Sequence, residues 1–129
     1  MNKILIVEDD PHVASLYQDE LEKSGFEVNV AHDGQQGLDL ANESDFDLIL
    51  LDLMLPGKHG VNVLRELKAS DKTKNMLVYI LSVLDDQIVI DQVKKFGADG
   101  YFVKSKYGPA ELNAAVQGIF ENKEPTPSL

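Results

Sequence analysis

The chain has no cysteine, which excludes disulfides and thiolate metal sites. No apolar run approaches the roughly 20 residues that a membrane span requires. Basic residues are scarce, with 12 Lys and Arg against 22 Asp and Glu and a formal net charge of −10. That balance disfavours direct binding to nucleic acid or an anionic membrane, since both reward basic patches. Met1-Asn2-Lys3 enters an apolar strand without the layout of a signal peptide, so a cytoplasmic protein is expected. What is present suits one compact domain: 129 residues, 43% of them hydrophobic, enough for a real core.

The organising stretch is Leu48-Ile49-Leu50-Leu51-Asp52-Leu53-Met54-Leu55-Pro56-Gly57. An uninterrupted apolar run of this length fits a strand buried on both faces, the habit of central strands in parallel sheets. A carboxylate in such a run needs a partner, because an unpaired buried charge is costly. Asp52 either caps a loop or stands at a strand end and does chemistry.

Strand and helix patterns alternate along the rest of the chain. Lys3 to Val7 reads as strand 1, ending at Glu8-Asp9-Asp10. Asp10 then caps a helix whose first turn holds Pro11. Val13, Leu16, Tyr17 and Leu21 recur at helical spacing, and Gly25 is the stop. Phe26 to Ala31 alternates apolar and polar residues, as a strand near a sheet edge does. Asp33-Gly34 opens helix 2, with Leu38 and Ala41 inward, and Asp45 to Asp47 leads into strand 3. Helix 3 carries Val61, Leu64 and Leu67. Met76 to Leu81 is strand 4, ending at Ser82. Asp85-Asp86 opens helix 4, with Val89, Val93 and Phe96 inward and Gly97 as its stop. Tyr101 to Val103 is strand 5, ending at Lys104. Gly108-Pro109 opens helix 5, with Leu112, Ala115, Val116 and Ile119 inward.

Five strand-helix units imply right-handed crossovers and a parallel sheet covered on both faces. The predicted fold is α/β: a flavodoxin-like, doubly wound (βα)5 domain of three layers, with strand order 2-1-3-4-5. The domain is expected to span 1–121, followed by a flexible tail or the start of a linker over 122–129.

In such a sheet, ligands gather at the carboxyl ends of the strands. Glu8 and Asp9, Asp52, Ser82 and Lys104 should meet there. Packed carboxylates repel each other, and a divalent cation relieves this. Oxygen-only ligands favour Mg²⁺ or Mn²⁺ over Zn²⁺. Lys104 offers a positive point charge and Ser82 a hydroxyl to the same anion. Together they describe a site for an aspartyl phosphate, with Asp52 as nucleophile. Asp10 is read as a plain helix-start acid. Ser82 or Lys104 alone would be unremarkable. His12, His32 and His59 lack metal-ligand spacing and receive no chemistry.

With these residues in place, the chain resembles the CheY-like receiver domains of two-component response regulators. The resemblance covers about Lys3 to Phe120. It rests on Ile4-Leu5-Ile6-Val7-Glu8-Asp9-Asp10-Pro11, Leu51-Asp52-Leu53-Met54-Leu55-Pro56-Gly57 with Gly60, Leu81-Ser82, and Gly97-Ala98-Asp99-Gly100-Tyr101 with Val103-Lys104. It implies a non-enzymatic, phosphorylation-dependent signalling switch. Asp52 would accept a phosphoryl group from a sensor histidine kinase or phosphotransfer protein. Asp9 would ligate Mg²⁺ directly, Glu8 through a metal-bound water, and Met54 through its backbone carbonyl. Ser82 would be the switch hydroxyl, Lys104 the phosphoryl partner, and Tyr101 the aromatic that turns inward when Ser82 moves; the plainer reading of Tyr101 is a sheet-edge aromatic in a half-buried slot. Helix 4, strand 5 and helix 5 would be read by an unknown downstream protein partner. The domain would bind no nucleic acid or membrane directly, and would be a monomer or weak dimer.

Three departures from the family pattern matter. Ser105 follows Lys104 where receivers commonly place proline after a cis peptide. A cis bond before a non-proline residue costs about 3 kcal/mol, against about 0.5–1 before proline. Either a strained cis Lys104-Ser105 bond or a trans bond with a displaced loop is therefore expected. Val83 follows the switch serine where small residues are usual, which predicts slow exchange with small phosphodonors and slow autodephosphorylation. Asn113-Ala114-Ala115 lacks the arginine that the family's winged-helix regulators use at a dimer face. Ile88 and Ile90 could mark a partner patch, with at least one of them in the core.

Other classes fit less well. A phosphatase of the haloacid dehalogenase type needs a second acid where Met54 stands. A flavodoxin-type FMN site needs a hydroxyl-rich loop after strand 1, and Glu8-Asp9-Asp10 would repel the phosphate. A receiver-like adaptor that no longer accepts phosphate is disfavoured by the intact acid and lysine set.

Overall fold

The computed structural model describes residues 2–121. Five strands alternate with five helices: β1 (Lys3–Val7), α1 (Pro11–Lys23), β2 (Glu27–Ala31), α2 (Gly34–Glu43), β3 (Leu48–Leu51), α3 (Gly60–Ala69), β4 (Leu77–Ser82), α4 (Gln87–Lys95), β5 (Gly100–Val103) and α5 (Pro109–Glu121). All ladders are parallel, in the order β2-β1-β3-β4-β5. This is the predicted doubly wound α/β architecture. The tail expected over 122–129 lies outside the described residues.

Alternation along the strands divides the core into two layers. Leu5, Val7, Ile49, Leu51, Val78, Ile80, Tyr101 and Val103 face α2, α3 and α4, packing on Leu38, Ala41, Val63, Leu64, Leu67, Ile90 and Val93. Ile4, Ile6, Leu48, Leu50, Tyr79, Leu81 and Phe102 face α1 and α5, packing on Tyr17, Leu21, Leu112 and Val116. All four residues of β3 are buried, and each contributes about 1.5–3 kcal/mol of transfer free energy. A central strand covered on both faces therefore reads as a continuous apolar run rather than an alternation.

Local chemistry sets the helix ends. The Asp10, Asp33 and Asp86 side chains accept backbone N–H bonds at the starts of α1, α2 and α4. Gly25 and Gly97 follow α1 and α4 with φ of +92° and +103°, the left-handed region that glycine enters without penalty. The start of α3 is different: His59 caps it, with Nδ1 accepting the Val61 N–H at 3.2 Å.

The inward faces differ from expectation at three points. Leu16 is exposed and Ala14 is buried instead, because the buried stripe of α1 runs through Ala14, Tyr17 and Leu21. Val63 replaces Val61 on the buried face of α3. In α4, Ile90 joins Val93 in the core, Val89 is half-buried and Ile88 is 78% exposed.

Candidate functional site

Three predicted site residues stand one position beyond a strand, and each is still held by a ladder hydrogen bond. Glu8 N–H donates to Ala31 O at 2.9 Å, Asp52 N–H to Val7 O at 3.1 Å, and Lys104 N–H to Ser82 O at 2.8 Å. Ser82 is the last residue of β4. The backbones that aim these side chains are therefore as fixed as the sheet.

The side chains converge. Lys104 Nζ donates to Asp52 Oδ2 at 2.9 Å and also to Glu8 Oε1. The other Asp52 oxygen accepts the Met54 N–H at 3.0 Å. The other Glu8 oxygen accepts the Asp10 N–H at 3.1 Å. Glu8 and Asp52 are buried, at 4% and 6% exposure, whereas Asp9 faces solvent. One carboxylate oxygen from each of Glu8, Asp9 and Asp52 lies within 4.8 Å of the others.

Three carboxylates and one ammonium give the cluster a formal charge of −2. Burial raises the Glu8 pKa and the Asp52 charge adds to that, while the bonds from Lys104 and Asp10 oppose it. Burial alone would lower the Lys104 pKa, but the bonds to Glu8 and Asp52 outweigh it and the net direction is upward. Lys104 is thus held charged beside two acids. An oxygen-only donor set with excess negative charge fits a hard divalent cation.

These observations coincide with one sequence family. Residues 4–117 match the model of the response regulator receiver domain. The chain belongs to that family. Receiver domains are phosphorylation-dependent switches of two-component systems, and this one is similar to part of longer regulators. The transcriptional regulatory protein CpxR of Escherichia coli K12 is 42% identical over 120 residues, which are 92% of this chain and 49% of CpxR. The receiver domain here spans about half the length of the curated relatives it matches. Among solved structures, the phosphorylated cyanobacterial phytochrome response regulator RcpA superposes with a TM-score of 0.83 at 28% identity, covering 98% of this chain and 99% of that one. The Mn²⁺-bound form of response regulator Rcp1 gives a TM-score of 0.80 at 25% identity, covering 99% and 100%.

The receiver's remaining predicted residues are placed as follows. Ser82 is fully buried, and its Oγ accepts the Leu84 N–H at 3.4 Å. The half-buried slot expected for Tyr101 is corrected: the ring is 0% exposed, already inward, and its hydroxyl donates to Leu84 O at 2.7 Å. Burial, with the Asp52 charge second, pushes its pKa up to about 12. Tyr101 is buried because α4 covers that face of β5 with Ile90 and Val93. Met54 turns its side chain to solvent at 53% exposure, and Val83 is 59% exposed.

No described peptide bond is cis, so Lys104-Ser105 is trans. The chain turns at once instead: Lys106 N–H and Tyr107 N–H both donate to Val103 O, at 2.9 and 3.1 Å. Lys104 still reaches both acids from this turn. Two site neighbours were given no role from the sequence, although Gly60 belongs to the motif that carries the resemblance. His32 Nδ1 lies 3.3 Å from Glu8 O, and Gly60 packs against the Asp52 backbone, where a Cβ would fall 2.4 Å from Asp52 O. Gly60 could be noted as a glycine after a turn, but not as a close approach.

Proposed function

We propose that residues 1–121 form a switch in which Asp52 is the phosphoacceptor. The observation that carries this is the Asp52 carboxylate itself, buried at a strand end and bonded by Lys104 beside two further acids. An Asp52 oxygen attacks the phosphorus of a kinase phosphohistidine. The P–N bond breaks and its electron pair stays on the imidazole nitrogen as a lone pair, so a ring protonated on its other nitrogen leaves as neutral imidazole. Lys104 turns from carboxylate to phosphoryl oxygens as negative charge moves outward. Asp9 and Asp52 with the Met54 carbonyl would hold Mg²⁺, with Glu8 acting through water. The cation supplies charge neutralisation between the carboxylates and the incoming phosphoryl group.

The switch runs through Leu84. Its N–H is bound to Ser82 Oγ, and its carbonyl accepts from Tyr101. A phosphoryl group that draws in the Ser82 hydroxyl therefore biases the β4–α4 loop and the Tyr101 ring together. The α4–β5–α5 face carries that bias to a partner or output domain. The domain serves as a substrate that assists its own modification and hydrolysis rather than as an enzyme acting on others.

A histidine kinase or phosphotransfer protein is the partner that this chemistry requires. Leu16, Met54, Val83 and Ile88 are the exposed large apolar residues among those described. Met54, Val83 and Ile88 lie on the segments that follow β3 and β4, on the side of the strand ends, as a protein donor would need. No described helix is long and apolar enough to cross a membrane, and a cytoplasmic location fits such a donor. Asn113 Nδ2 donates to Ser24 Oγ, the cap after α1, at 2.8 Å, and α5 carries no arginine for a dimer contact. With that and a net charge of −10, the reading is a monomer or weak dimer that does not bind nucleic acid directly.

The test is intact-mass analysis after Mg²⁺ and acetyl phosphate or a kinase, with beryllofluoride binding followed by NMR. A single phosphoryl adduct that is lost in Asp52→Ala and on chelation is expected. No Asp52-dependent response to any of these reagents would overturn the reading.

A further inference from the structure

Lys104 does not extend from a strand that continues. Beyond it the chain makes one turn with no proline to stiffen it, and both turn amides share a single acceptor, Val103 O. At its near end the turn is held by the Lys104 N–H bond to Ser82 O. At its far end Tyr17 intervenes: from the buried face of α1, its hydroxyl donates to the Tyr107 carbonyl at 3.0 Å, 90 residues away in sequence. The Tyr107 ring meets Phe102 edge-on at 4.8 Å, so that contact positions the ring while the Tyr17 hydroxyl positions the backbone.

We propose that Tyr17 is a positioning residue for Lys104, clamping the 104–107 turn so that the ammonium is aimed at Asp52. This rests on the reading of Asp52 as phosphoacceptor. The physical need comes from Ser105. A non-proline residue there leaves φ free, and an exposed turn with one shared acceptor opens at little cost. Lys104 has a long, rotamer-rich side chain, so its aim depends on where its Cα is held. The Tyr17 hydroxyl is close enough to the cluster that the charges of Lys104, Glu8 and Asp52 all act on it, behind the leading effect of burial. A helix packed on the opposite layer of the core from α2, α3 and α4 thereby reaches the site through one hydroxyl. A phenylalanine at this position would fill nearly the same core volume and leave the turn unclamped.

Tyr17→Phe keeps the ring and removes only the hydroxyl. Three readouts together decide the matter: the Lys104 ammonium NMR signal, the rate of Asp52 labelling at saturating phosphodonor, and Mg²⁺ affinity. The ammonium signal should broaden and labelling should slow roughly three- to tenfold, the worth of one hydrogen bond. Mg²⁺ affinity should not weaken, because Glu8 and Asp9 are aimed by β1. A variant with wild-type ammonium signal and wild-type rate overturns the inference. So does a parallel fall of Mg²⁺ affinity and rate, which would mark general disruption. If the wild-type protein shows no Asp52-dependent labelling, the Asp52 reading falls, and the ammonium signal alone then decides the role of Tyr17.

Discussion

Lys104 Nζ and Asp52 Oδ2 meet at 2.9 Å although 52 positions separate them in sequence and β4 lies between their strands. Lys104 is the cation that makes two buried carboxylates tolerable. Removing one partner of a buried pair typically costs about 3–5 kcal/mol. Lys104→Ala should therefore be destabilised by that order in urea titrations without metal. Mg²⁺ should recover much of the loss, because a divalent cation can take over the neutralisation. Asp52 labelling should remain slow in either case. An equal stability deficit with and without Mg²⁺ would show that the cluster is not a metal site.

Val83 is 59% exposed, directly after the fully buried Ser82. If Val83 shields the phosphoryl group, as its branched side chain next to the switch serine suggests, both a small phosphodonor and the hydrolytic water meet it. Val83→Ala should speed both acetyl phosphate labelling and loss of the phosphoryl group severalfold, followed by time-resolved intact mass. Unchanged rates in both directions would dismiss Val83 as a shield.

Tyr101 gives the protein an alkaline limit. Its pKa rises from 10.0 to about 12 on folding, with burial as the main cause. Between those values the unfolded chain has lost the phenolic proton and the folded chain keeps it. Stability should therefore be intact below pH 10 and fall across pH 10 to about 12, by about 3 kcal/mol in all. Tyr101→Phe should flatten that decline, measured by denaturant midpoints across the pH range. It should also cost about 1 kcal/mol at neutral pH through the lost bond to Leu84 O. An alkaline slope that persists in Tyr101→Phe would assign it to other groups.

Gly60 sets how closely α3 approaches the acceptor. A Cβ there would lie 2.4 Å from Asp52 O and 2.5 Å from Leu53 Cα, both backbone atoms that cannot turn aside. Gly60→Ala should lose about 3 kcal/mol of stability and should slow Asp52 labelling by displacing its carboxylate. A variant with wild-type thermal stability would show that the backbone yields there freely.

Much of this was legible in the chain itself. The apolar runs marked all five strands, Asp10, Asp33 and Asp86 announced helix starts, and Gly25 and Gly97 announced stops. These are local effects of period and backbone freedom. The misses were tertiary. Leu16 and Ala14 compete for one helix face, and only the angle at which α1 meets the sheet chooses between them. Ile88 and Ile90 carry the same side chain two positions apart, yet one is 78% exposed and the other 6%. Tyr101 looked like an edge aromatic because nothing in Gly100 to Val103 says that α4 covers it. The Lys104-Ser105 alternatives were settled by the turn on Val103 O, which no residue type there dictates.

The amino-acid sequence by itself determined the element order, the parallel sheet, the acids and lysine at the strand ends, and through these the family. Hydrophobic period and turn chemistry act over a few residues and can be read there. Tertiary structure alone decided that Lys104 bonds both Glu8 and Asp52, that Leu84 joins Ser82 to Tyr101, and that Tyr17 reaches Tyr107. Each of these contacts spans elements that only sheet order and helix packing bring together. The physical reason is that a hydrogen bond forms across a few ångströms of space, whatever the distance along the chain.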